Sequence, residues 1–205
     1  MINLMSTIAP SKLNENQLLE KYGTDKTHMQ TVSELSCLIF DKLNNKLFMF
    51  NDKHREFLRI GALLHDICAS DEKDKNHNKS ACQIIKDNLD KYNKEECIII
   101  ANIARYHRGP LPDKLKHKDY SACEKNQQRL IKKLGAIVKI ADGLDCLHNS
   151  TVKDIEIRMD KSYKVIFFYV RTKDESLDFR DFKCLLNKKD LFEYAFKMQT
   201  SFYIN

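Results

Sequence analysis

With 205 residues, only five glycines and three prolines, the chain has room for one sizeable core and favours long helices over a loop-rich all-β fold. Hydrophobic residues at 42% beside 31% charged ones are the balance of a soluble globular protein, which sets aside disordered and membrane-embedded classes. A net charge of +6 suits an anionic ligand, but it is mild and spread through lysine-rich surface segments, which simple solubility explains; a small phosphorylated ligand, not nucleic acid, is the expected partner.

In chain order, residues 14–22 read as a short helix ended by Gly23. Residues 27–43 form a longer one, with Val32, Leu35, Ile39 and Leu43 at spacings of three and four. Phe57, Leu58, Gly61, Ala62 and Leu64 mark a third helix closing at His65 and Asp66. Residues 77–89 and 94–107 give two more, the second stopped by Gly109-Pro110 and followed by a polar, proline-containing loop. Residues 128–145 make the sixth, with Ile131, Leu134, Gly135, Val138 and Ala141 on one stripe. After Asn149 the period changes: 152–157 alternates and 163–170 is β-rich, so a hairpin is expected, and 179–202 returns to a helical pattern. The expected fold is therefore mainly α. A helical body over 1–150 carries a small α+β extension over 151–205, hairpin plus helices, packed on the same domain because it buries too little alone.

Seven cysteines (Cys37, Cys68, Cys82, Cys97, Cys123, Cys146, Cys184) show no C-x-x-C pair. With no secretory leader in the first ten residues, they read as reduced thiols of a cytoplasmic protein, several filling core space. The longest apolar runs, 97–101 and 165–170, are too short to span a membrane.

Five of the seven histidines fall at helix positions facing the apolar stripe. His28 is in phase with Val32, Leu35 and Ile39; His65 follows Leu58 and Gly61; His107 follows Ile100, Ile103 and Ala104; Asp142 follows Leu134, Gly135 and Val138. A carboxylate aimed inward is costly unless it is paired or bound to a metal, and Lys139 and Arg129, its candidate partners, fall on other faces. Helices that send imidazoles and carboxylates to one interior point build metal sites. Mixed N/O ligation suits Mn, Fe, Co, Ni or Zn, with Mg a poorer match to the histidines.

The order His28, His65-Asp66, Asp142 resembles the H…HD…D signature of HD-superfamily metal-dependent phosphohydrolases. The strings from Ile103 to Pro112 (IARYHRGPLP) and from Lys139 to Asp145 (KIADGLD) are similar to the C-terminal HD domain of the exopolyphosphatase / guanosine pentaphosphate phosphohydrolase family. The resemblance runs well from 28 to 148 and more loosely through the tail. It implies an HD-domain helical bundle in which His28, His65, Asp66 and Asp142 hold a divalent metal. His77 and His107 match histidines that hold a second metal or the substrate phosphate, although the family's histidine-rich stretch is reduced here to Asn76-His77-Asn78-Lys79. Asp66, His107 and Arg108 are the expected catalytic residues, Lys79 and Arg108 the expected phosphate ligands, and Asp145 and His148 complete the family string, Asp145 placed to orient a ligand. The family's N-terminal actin-like module is absent, so the chain reads as a free-standing HD domain to which polyphosphatase activity does not transfer. The expected function is hydrolysis of a small phosphorylated substrate, a nucleotide being the most plausible, with a non-catalytic nucleotide- or polyphosphate-binding regulatory module as the alternative and a homodimer as the assembly to test.

Overall fold

Asparagine caps start three of the helices. Asn14, Asn51 and Asn93 each accept a hydrogen bond from a backbone N–H three residues on, and Gln17, His54 and Glu96 reach back to complete the boxes. These open α1 (Glu15–Tyr22), α3 (Asp52–Leu63) and α5 (Lys94–Arg105). Asp25 caps α2 (Lys26–Leu43) through the N–H of His28. The other helices are α4 (His77–Asn88), α6 (Lys118–Ala122), α7 (Lys125–Leu144), α8 (Phe179–Lys188) and α9 (Asp190–Phe196), and the strands are β1 (Val152–Asp160), β2 (Val165–Thr172) and β3 (Gln199–Ile204). The computed structural model describes residues 12–68, 76–173 and 179–204.

α2 packs on α3, α3 on α5, and α5 on α4, while α7 lies against α2, α5, α8 and α9. Ile39, Leu58, Ile100, Ile103, Leu134 and Val138 have no exposed surface and form the middle of the core. The sheet runs in the order β1-β2-β3. β1 and β2 form the expected antiparallel hairpin, with Ile155 opposite Val170 and Ile157 opposite Phe168. Their inward side chains, with Phe192 from α9, join the same hydrophobic cluster as the helices.

The chain is mainly α with a small β extension, as its periodicity indicates, but four local expectations fail. First, residues 199–204 are not helical: β3 pairs in parallel with β2, and Glu193 accepts from both the N–H and the hydroxyl of Thr200 to hold it there. Second, the loop after Gly109 contains the short α6, too brief to show an apolar period. Third, α3 and α5 stop two residues earlier than the stripe indicates, so His65, Asp66 and His107 sit in turns. The cause is local. The Nδ1 of His65 bonds the carbonyl of Ala62 at 2.7 Å, and that of His107 bonds Ala104 at 2.7 Å, taking the acceptor that the next helical turn needs. Fourth, the cysteines are not all reduced, because Cys146 is bonded to Cys184, 38 residues away, leaving five free among the described residues.

Candidate metal centre

Two turns and three helix ends meet at a single point. His28 comes from the first turn of α2, His65 and Asp66 from the turn after α3, His77 from the start of α4, His107 from the turn after α5, and Asp142 from the last turn of α7. His28, His65 and Asp142 form one group; Asp66, His77 and His107 form an adjoining one. In the first, Oδ1 of Asp142 lies 3.5 Å from Nε2 of His28 and 4.0 Å from Nε2 of His65. In the second, Oδ1 of Asp66 lies 3.1 Å from Nε2 of His77 and 3.2 Å from Nε2 of His107. The other oxygen of Asp66 is 3.7 Å from Nε2 of His65, so this carboxylate stands between the groups and faces both.

The imidazoles are oriented for ligation. Backbone carbonyls only accept, so His65 and His107 carry their protons on Nδ1 and turn the Nε2 lone pairs into the site. His28 is aimed by a carboxylate, its Nδ1 lying 2.8 Å from Oδ2 of Asp145, whose Oδ1 accepts from the N–H of Ser150. Carboxylate-to-histidine and carbonyl-to-histidine contacts are the usual outer supports of metal-bound imidazoles. The Nε2 atoms of His28 and His65 and Oδ1 of Asp66 are buried with no hydrogen bond. Such atoms are costly to bury, and a cation sharing their lone pairs would remove the cost. Metal–ligand bonds of about 2.0–2.2 Å put neighbouring ligands roughly 3–4 Å apart, which these separations match. The residues present therefore fit a divalent ion.

The electrostatics are those of a compressed His/Asp cluster. Burial drives the imidazole of His65 down to about 4, so it is neutral and ready to ligate. For His28 burial acts the same way but is outweighed by Asp142 and Asp145, which raise it to about 9. Burial pushes the carboxyl of Asp66 up, yet His65, His107 and His77 hold it well below the usual range. Asp142 is likewise held low against its burial, by Lys188 and the histidines.

Asp66, His77, His107 and Asp142 line a cleft of about 670 Å³ together with Arg108, Lys139 and Lys188, while His28 and His65 lie behind them. Nη1 of Arg108 lies 2.8 Å from Nε2 of His77. Lys139 is almost fully buried, bonding Asp190 at 2.7 Å and the carbonyl of Gly109 at 3.2 Å. Lys188, from the end of α8, pairs with Oδ2 of Asp142. The structure thus brings His28, His65, Asp66, His77, His107, Arg108 and Asp142 together, and leaves Lys79 outside. That lysine is exposed and bonded to Asn76. Lys188 and Lys139 occupy the cleft instead; nothing local in the sequence separates Lys188 from its many surface counterparts, and Lys139 stands in the KIADGLD string. The fifth buried histidine, His117, belongs elsewhere, accepting from the hydroxyl of Tyr106 at 2.9 Å and from the N–H of Asp113. His148 is exposed but stacks on His28 with ring centres 3.7 Å apart.

A helical body in which helix ends and turns deliver two adjoining His/Asp groups to a cleft lined by both carboxylates and cations has side chains that could hold a metal ion. Residues 13–186 match the family model described as Ppx/GppA phosphatase, domain III, and the chain belongs to that family. No curated protein matches it. The family places it among phosphatase-related proteins. Among the described residues, no helix is long and apolar enough to cross a membrane.

Proposed function

We propose that this chain is an HD-type metal-dependent phosphohydrolase acting on a small phosphorylated substrate, a nucleotide being the best candidate. The reading rests on one observation above the others: the convergent, unbonded Nε2 atoms of His28 and His65 beside Asp66. His28, His65, Asp142 and one oxygen of Asp66 would hold a first ion, drawn from Mn, Fe, Co, Ni, Zn or Mg. His77, His107 and the other oxygen of Asp66 are the candidate ligands of a second. Such an ion supplies Lewis acidity towards a phosphoryl oxygen and lowers the pKa of water. The protein does the rest. Asp66, held ionised by the three histidines around it, serves as the ligand shared by the two sites rather than as a base, because a carboxylate held this far below its usual range takes up a proton poorly. His107 and Arg108, with the lysines at 139 and 188 in place of Lys79, offset charge on the phosphoryl oxygens at the cleft. We read residues 151–205 as an extension of the 1–150 domain, because α8 supplies Lys188 to the site. A cytoplasmic location is part of the same proposal.

The test is elemental analysis of purified protein, followed by phosphate release from a panel of nucleotides and phosphomonoesters with Mn, Ni or Co. Activity should disappear with metal retention in Asp66→Ala and Asp142→Ala, while the helical circular dichroism persists. A metal-loaded chain inactive across the panel would overturn the enzymatic reading. It would favour a regulatory module that binds nucleotide or polyphosphate, which the match to domain III of a multidomain phosphatase family supports. That module would show a ligand-induced rise in Tm without turnover.

A further inference from the structure

One covalent and one ionic link fasten α8 across the end of α7 that carries the candidate metal ligands. Cys146 directly follows Asp145, the carboxylate that orients His28, and is bonded to Cys184 on α8. Lys188, one turn beyond Cys184, pairs with Asp142. Both cysteines are half-buried and line the same cleft as Asp66 and His107. The helices also touch through backbone: a Cβ on Gly143 would lie 3.1 Å from Cα of Leu185 and 3.3 Å from Cδ of Lys188. Gly143 therefore permits an approach that seats both the disulfide and the ammonium.

We propose that Cys146 and Cys184 form a reversible thiol–disulfide site that sets how firmly α8 holds Lys188 over the metal cleft, and hence how well the cleft binds phosphate. The proposal rests on the phosphohydrolase reading and adds its regulation. In a reducing compartment a disulfide that persists is one that senses or transmits redox state. The reaction partner is a small thiol or a protein dithiol. Its thiolate attacks one Sγ, the other Sγ leaves as a thiolate that takes a proton from water, and a second reductant thiol resolves the mixed disulfide. Two thiols are oxidised to one disulfide while the Cys146–Cys184 bond is reduced by two electrons to two thiols. The five free cysteines do not compete well: burial raises the thiols of Cys37, Cys68, Cys97 and Cys123 above their ordinary value and that of Cys82 to about 11. Reduction leaves α8 attached by the ion pair and the buried Leu185, so the fold persists while Lys188 gains freedom.

The experiment uses the full chain, equilibrated with glutathione disulfide or with dithiothreitol. Alkylation and peptide mass mapping should find Cys146 and Cys184 protected in the first sample and labelled in the second. Calorimetry with Mn(II), then with inorganic phosphate, should show Mn retained in both states and phosphate bound roughly fivefold or more tightly by the oxidised form, the order of effect of one charge-assisted hydrogen bond. A Cys146→Ser/Cys184→Ser variant should bind phosphate as the reduced wild type does, whatever the redox buffer. Lys188→Ala should bind it weakly in both buffers and show no difference between them. Full labelling of both cysteines in the oxidised sample overturns the site. Equal phosphate affinity in the two states, with Mn retained, overturns the coupling and leaves the metal reading standing. Failure to retain Mn in either state overturns the metal reading and the coupling built on it, even where the mapping shows the disulfide.

Discussion

Gly61 sits where α3 presses on α5, four residues before His65, and the helix it touches carries Ile103, four residues before His107. Replacing it with alanine sets two effects of opposite sign against each other. Alanine favours helix over glycine by about 1 kcal/mol. Its methyl group, however, would stand 2.7 Å from Cγ2 and 3.0 Å from Cβ of Ile103, and 3.2 Å from the carbonyl oxygen of Ile100. Ordinary carbon contacts are about 3.5–4.0 Å, so the helices must part by roughly 0.8 Å. A rotamer change does not help, because Cβ of a β-branched residue moves only with its backbone. Overpacking of this kind costs about 1–3 kcal/mol, which at least cancels the helical gain and leaves a net loss of up to about 2 kcal/mol. The larger consequence is at the site. His65 and His107 have ring centres 4.8 Å apart, and sites of this kind work within about 0.5 Å of their geometry. Gly61→Ala should therefore lower Mn affinity roughly 10- to 100-fold, the range seen when the supports of a metal site are disturbed. Urea unfolding and Mn titration calorimetry on the same preparation measure both effects. A variant more stable than wild type by about 1 kcal/mol, with unchanged Mn affinity, would refute the close packing and its link to the site.

Asp145→Asn, which weakens the acceptor at Nδ1 of His28 while keeping the side chain's shape, should lower metal affinity about 10- to 100-fold with little change in Tm, as read by calorimetry and thermal melts. Glu193 has its folded-state pKa lowered: burial opposes this, but the bonds from Thr200 and Lys189 prevail. The stability it contributes is present above its unfolded value near 4.5 and is lost as pH falls through the lower folded value. Glu193→Gln should accordingly flatten the stability–pH curve in that window, and a curve superimposable on wild type in urea melts from pH 3 to 6 would count against the role given to Glu193. Phe168 is fully buried between Phe192 and Phe202, with ring centres at 5.5 and 5.0 Å. Phe168→Ala should cost about 3–5 kcal/mol by chemical denaturation, and a loss below 1 kcal/mol would mean the sheet is not part of the core.

Much of the fold could be read directly from local residues. The apolar stripes of α2 and α7 and the alternation in β1 are signals carried within a few residues, because helix and hairpin hydrogen bonds close over short spans. The histidines were also legible as inward, and five are buried. What their stripe could not show is that His65 and His107 leave the helix, although the repeated Ala-x-x-His spacing at residues 62–65 and 104–107 is the signal that marks it. The sequence by itself determined a mainly helical chain rich in inward imidazoles, since burial of apolar periods and capping of helix ends depend on neighbours along the chain. Only the tertiary structure decided the rest: β3 on the edge of β2, Cys146 joined to Cys184, Asp66 between two groups, Lys188 on Asp142, and Lys79 outside the cleft. Those outcomes depend on contacts between residues as far apart as His28 and Asp145, separated by 117 positions, and such contacts exist only once the helices have packed.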